Sequence, residues 1–238
     1  MAKASRGGRR GSISQSHTPA NPTGAISGGG GGGFMPFTDQ DASQLRDDVD
    51  DRYDADVTDA IKLYISDSNP NKDGFSHSQN LNYKLDNGLA LNATEQFIDD
   101  NIQAGMHAIG KNAQLVRYCH DDILKKCGVS DYTKYNDAQL QQRLVGTQLK
   151  TTAYMSASYD GKKNPFNPSA PGGGGREVVM NVRANANTKI VFGAKKQAEV
   201  VINKGTDMKI VGVHYDGTYA TPRGKGSRPR IIVDVEVG

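Results

Sequence analysis

Apolar residues recur at every fourth position from Leu45 through Val49, Tyr53, Val57 and Ile61 to Ile65. That spacing draws one stripe along a helix and predicts a single long amphipathic helix over residues 41–65. Asp41, Asp47 and Asp48 near its start suit the positive end of the helix dipole. A loop is expected at 66–79, "SDSNPNKDGFSHSQ". Residues 92–110 then give a second helix: Asn92 and Glu95 have capping-box spacing, and Ile98, Ile102, Met106 and Ile109 form the stripe. A shorter helix is read in "DAQLQQRLVG".

From about residue 114 the period falls to two. "AQLVRYCH", "KTTAYMSASY", "REVVMNVRA", "TKIVFGA", "AEVVINKG", "MKIVGVHY" and "RIIVDVEVG" all read as strands. Val178, Met180 and Val182 should share one face, as should Ile231, Val233, Val235 and Val237. Helices first and strands afterwards is an α+β order rather than βαβ winding.

Composition adds boundaries. The chain has 238 residues, 36% hydrophobic, with 28 glycines, six of them consecutive at Gly28–Gly33. Residues 1–37, rich in Gly, Ser and Arg, read as a disordered tail that cannot bury enough apolar surface to offset its ordering entropy. Residues 38–238 read as one domain, helical over 38–112 and a β core over 113–238. No stretch approaches the roughly 20 apolar residues of a membrane span. The basic N-terminus lacks the apolar segment of a secretory signal. Two cysteines, Cys119 and Cys127, are too few for a disulfide framework, so a reduced, cytoplasmic setting is expected. A net charge of +3 selects no partner class.

Several motifs reduce to ordinary structure. Asn69–Gly74 starts like a calcium loop, but its twelfth position is Asn80, which cannot supply the bidentate carboxylate. "PGGGGRE" at 171–177 lacks the Lys-Ser/Thr of a phosphate loop and leads into a strand. The five histidines show no ligand spacing, and no metal is expected. The basic "TPRGKGSRPR" at 221–230 reads as a solvated hairpin connection, with nucleic acid as the less favoured partner. Three polar features remain on strands otherwise built for burial. They are Arg117 in "LVRYC", Ser156 and Ser158 in "AYMSAS", and Gln197 with Glu199. In an extended chain Gln197 and Glu199 would share a face.

This ordered set resembles the Arg-Ser-Glu class of mono-ADP-ribosyltransferases, which includes the clostridial binary toxins, Rho-modifying exoenzymes and phage-encoded transferases. The resemblance runs over roughly residues 40–238. Tyr154-Met155-Ser156-Ala157-Ser158 is similar to the family's Ser-Thr-Ser motif, with Ala157 replacing the central Thr. "QAEVVINKGT" is similar to its Gln-x-Glu motif, and "QNLNYKLDNG" to its Asn-x-x-Leu segment. The resemblance implies helices packed on a split, curved pair of β-sheets that form an NAD cleft. It implies that Arg117 holds the NAD phosphates and that Ser156 positions the catalytic carboxylate. It makes Glu199 that carboxylate, bonded to the 2′-hydroxyl of the nicotinamide ribose and steadying an oxocarbenium-like transition state. Tyr154 and Ser158 join the NAD-binding set, and Phe166, in the loop after the Ser motif, would stack on nicotinamide. Gln197 would look toward the acceptor and argues against a simple arginine transferase.

The implied function is transfer of ADP-ribose from NAD to a side chain of a target protein, without a metal, by a bacterial or phage-encoded effector in the cytoplasm or carried in a virion. Two alternatives stand beside it. One is modification of nucleic acid or plain NAD hydrolysis on the same fold. The other is a catalytically silent phage structural or interaction module.

Overall fold

The computed structural model describes residues 33–66, 74–167, 176–220 and 227–238. The N-terminal tail, the Asn69–Gly74 turn, the 171–177 connection and the 221–230 connection fall wholly or mainly outside these residues.

Two residues of β1 (Met35–Pro36) pair parallel to a later strand, and Phe37 behind them is buried. The folded unit therefore takes in the last residues of the expected tail. The predicted long helix is two: α1 (Asp39–Val49) and α2 (Ala55–Ile65), separated by a 3₁₀ turn at Asp50–Arg52. Asp54 is the cause. It is extended, and its carboxylate accepts the Val57 N–H at 2.8 Å, capping a new helix. The restart rotates the buried face of α2 to Val57, Ala60 and Tyr64, leaving Ile61 and Ile65 half-buried. α3 (His77–Asp86) begins inside the segment expected to be loop, started by a capping box between Ser76 and Gln79. α4 (Ala93–Gly105) has the expected Asn92–Glu95 capping box and buries Ile98 and Ile102.

After β2 (His107–Ala108) come β3 (Ala113–Cys119), α5 (Asp122–Lys126), α6 (Asp137–Leu144), β4 (Gln148–Lys150) and β5 (Met155–Ser158). The chain closes with β6 (Val178–Ala184), β7 (Lys189–Phe192), β8 (Glu199–Ile202), β9 (Asp207–Ala220) and β10 (Ser227–Val237). The expected α+β fold class is observed.

Hydrogen bonding orders the strands β2-β7-β8-β5-β3-β6-β10-β9-β4, with β1 beside β3. The sheet is split by its pairing. β3 meets β6 over seven residue pairs, from Ala113↔Ala184 to Cys119↔Val178, but meets β5 through one, Val116↔Ser158. A half made of β2, β7, β8 and β5 thus joins the rest at a narrow seam.

Both halves contribute to the main core. Val178, Met180 and Val182 enter it together with Ile231, Val233, Val235 and Val237, as their alternation required. From the first half come Met155, Ala157, Ile190, Phe192, Val200 and Ile202. The opposite face of that half, through Tyr154, Val191 and Val201, packs on Tyr64, Leu81, Ile98 and Ile102 of α2–α4. Each such fully buried aliphatic side chain stabilises the fold by about 1.5–3 kcal/mol.

Candidate active site

Strands β5 and β8 run antiparallel with Ser156 opposite Val201 and Ser158 opposite Glu199. Directly opposed residues share a face. Tyr154, Ser156, Ser158, Glu199 and Val201 therefore all lie on the helix-covered side, at the edge where β5 meets the seam.

Ser156 and Glu199 are half-buried. Over them stands Tyr64 of α2, fully buried. Its hydroxyl accepts a 3.0 Å hydrogen bond from Asn82 Nδ2. Burial first of all pushes its phenol up to about 12; the Glu199 charge adds to this, while the Asn82 hydrogen bond, the polar Ser156 side chain and the Arg117 charge oppose it. One phenol thus feels Ser156, Glu199 and Arg117 together. Sequence reading passed over Tyr64, because the stripe drawn for one unbroken helix runs through Ile61 and Ile65 instead.

Arg117 crosses the seam from β3. Its Nη1 donates to the Ser156 carbonyl oxygen at 2.6 Å. Its charge acts to lower the Cys119 thiol, which burial nevertheless raises to about 11. Arg117 forms no ion pair among the described residues, so a half-buried guanidinium keeps its charge for an anion.

Glu199 is held by the turn before it. Its carboxylate Oε2 accepts the Ala194 N–H at 2.9 Å, and its backbone pairs with Gly193 and Ala194. Gly193 is required by close approach: a Cβ there would overlap the Glu199 carboxylate. Glu199 too forms no ion pair among the described residues.

The other four expected site residues have these surroundings. Gln197 does not share a strand face with Glu199. It is exposed, at the end of a 3₁₀ turn (Lys195–Gln197), and Ala198 after it is left-handed at φ 49°, so the strand begins at Glu199. Ser158 does not line a cleft: it is buried, with its hydroxyl 2.8 Å from the Asp160 carbonyl and 2.9 Å from that of Gln197. It clasps the turn. Tyr154 is also buried, its hydroxyl donating to Asp99 Oδ1 at 2.7 Å and accepting from Gln103 Nε2 at 2.8 Å. Its ring meets Tyr64 edge-on at 5.7 Å, so it supports the site from beneath. Phe166 is exposed, and its described ring partner is the Arg176 guanidinium, 4.1 Å from the centroid.

A second tier fixes both strands to α4. Asp99 takes the Lys204 ammonium at 2.6 Å as well as the Tyr154 hydroxyl, and Gln103 reaches Asn203 Oδ1 at 2.6 Å. Tyr154 precedes Ser156 on β5, and Asn203 and Lys204 follow β8, so one helix face sets the placement of both site strands.

The same arrangement of strands and helices recurs in proteins of known structure. An ADP-ribosylating toxin component of a C. perfringens binary enterotoxin, solved with NADH, superposes with a TM-score of 0.61 at 14% identity, over 86% of this chain and 50% of its own. An ADP-ribosyltransferase of Clostridium botulinum gives 0.55 at 16% identity, over 87% and 99%. An S. aureus protein solved with NAD gives 0.56 at 17% identity, over 86% and 98%.

The chain has the ADP-ribosyltransferase fold.

It spans about half the length of the binary-toxin component and nearly all of the other two proteins. No family model matches the chain, and no curated relative does. Within the ADP-ribosyltransferase fold described here, no cluster of three or more His, Cys, Asp or Glu is poised to hold a metal among the described residues. Among those residues no helix is long and apolar enough to cross a membrane.

Proposed function

We propose that the protein is an NAD-dependent mono-ADP-ribosyltransferase that moves ADP-ribose to a side chain of a target protein and releases nicotinamide. The observation that carries this reading is the gathering of Arg117, Ser156 and Glu199 at the seam of the sheet: Arg117 is bonded to the Ser156 carbonyl, and Ser156 and Glu199 lie on the same face of the paired strands β5 and β8. An unneutralised guanidinium beside an unneutralised carboxylate fits a ligand that carries phosphates at one end and develops positive charge at the other.

In this reading Arg117 binds the pyrophosphate. Ser156, on the strand paired with β8, and the Ala194 N–H orient the Glu199 carboxylate. Glu199 accepts the ribose 2′-hydroxyl hydrogen bond and stabilises the ribosyl cation as the C1′–N bond to nicotinamide breaks and its electron pair leaves with nicotinamide. The target nucleophile then bonds C1′ and gives up its proton, with Gln197 beside it on the exposed turn. The NAD assignment is supported by neighbours of the same fold solved with NADH and NAD. The further reading as a bacterial or phage-encoded effector rests on the sequence resemblance.

The test is incubation with labelled NAD and a lysate. One or a few labelled protein bands are expected, with Glu199→Ala slowing nicotinamide release by about 10²–10³, or 3–4 kcal/mol, while the fold is retained. Nuclease-sensitive label, or nicotinamide release with no acceptor, would redirect the reading to nucleic acid or hydrolysis. Absence of NAD turnover in the wild type would leave a silent module.

A further inference from the structure

On the other side of the turn that holds Glu199, α1 carries Arg46 against the sheet. Its guanidinium lies 4.2 Å from the centroid of the Phe192 ring, and its Nη2 is 3.4 Å from the Gly193 carbonyl. Its Nε is buried and finds no partner among the described residues. Buried N–H groups normally bond something. Lys195 stands on the same turn as Gln197, exposed, and forms no ion pair among the described residues. Lys163 is already engaged with Asp39 and Asp160.

Arg46, Lys163 and Lys195, with Tyr159, Ser43 and the Asp39 carboxylate, line a cavity of about 350 Å³. Three cations face one carboxylate there, and that carboxylate is taken by Lys163. Two positive charges, those of Arg46 and Lys195, remain without a carboxylate at the wall of a space large enough for a small anion. Arg117 belongs to β3 and the seam and does not line this cavity.

We propose that this cavity is a second anion site, for an oxyanion of the phosphate or carboxylate type, which fastens α1 to the β7–β8 turn. Bound between Arg46 and Lys195, the anion stiffens residues 193–198. That turn supplies the Ala194 N–H to Glu199 and displays Gln197, so occupancy controls how firmly both are held. The assignment stands on the cavity and its charges and does not need the NAD reading.

The test is titration of the full chain with inorganic phosphate at constant ionic strength, with acetate in a parallel arm. An Arg117→Gln background removes any phosphate held at the seam. Saturable phosphate binding is expected in that background, weakened about tenfold by Lys195→Gln and at least as much by Arg46→Gln. Amide hydrogen exchange at 193–198 should slow about tenfold on phosphate addition and stay unchanged in Lys195→Gln. Acetate binding as tight as phosphate assigns a carboxylate source; phosphate binding alone assigns a phosphate group. Because Arg46 packs on Phe192, the exposed Lys195 provides the variant that leaves packing intact. The proposal is overturned if neither anion binds saturably, or if Lys195→Gln leaves binding and exchange as in the parent.

Discussion

The Arg117 guanidinium donates a 2.6 Å hydrogen bond to the main-chain carbonyl of Ser156, so a side chain from one half of the sheet is fastened to the backbone of the other. The strands carrying them meet through a single residue pair. Arg117 thus ties the two halves together across the seam, and it forms no ion pair among the described residues.

Arg117→Lys keeps the charge but loses the planar fork that can serve a carbonyl and an anion together. The KM for NAD should rise at least tenfold, and the melting temperature should fall. An unchanged KM in the folded variant would remove Arg117 from the ligand site.

Gly193→Ala puts a methyl group where the Glu199 carboxylate lies. The carboxylate must move, breaking its bond to Ala194. Nicotinamide release should slow by about tenfold or more, in keeping with the loss of an oriented charge, while NAD affinity measured by calorimetry stays within about twofold. Full activity in Gly193→Ala would mean that the observed carboxylate position is not the working one.

Alkaline stability follows from Tyr64. Its phenol is raised from 10.0 to about 12, first by burial. Below pH 10 both folded and unfolded chains keep the proton, and the contribution is complete. Between pH 10 and about 12 the unfolded chain releases its proton while the folded one retains it, so stability falls. A two-unit shift corresponds to about 2–3 kcal/mol. Urea midpoints measured across this window should drop, and Tyr64→Phe should show a shallower slope. Equal slopes would assign the loss to other groups, such as Cys119, whose thiol is also raised.

Gln197→Glu changes an exposed side chain on the 3₁₀ turn and leaves the Gln197 carbonyl that faces Ser158. Acceptor choice, mapped by mass spectrometry, should change, with nicotinamide release without acceptor altered less than about twofold. Equal loss of both activities would place Gln197 with the NAD-binding groups instead.

Much of this architecture was legible because it is written in local periods. The two-residue alternation of β6 and β10 fixed which side chains enter the core, and Asn92 with Glu95 marked the start of α4. The break after α1 was not legible, since Asp54 lies in an aspartate-rich run in which any of several carboxylates could have capped a helix. The turn at Gln197 was hidden for a different reason. Left-handed backbone is usually signalled by glycine or asparagine, and here it falls on Ala198. The motif order pointed to Arg117, Ser156 and Glu199, but a pattern along a strand cannot say which of Ser156 and Ser158 has its hydroxyl spent on carbonyls. Nor can it say which helix residue will lie over them. Those are facts of long-range packing, and Ser158 and Tyr64 were misread or missed on that account.

The one-pair junction at Val116 and Ser158 also sets how the domain can drift over time. A substitution deep in β6 or β10 has almost no ladder through which to shift β5 and β8, so its effect on the smaller half must travel through side chains of the shared core.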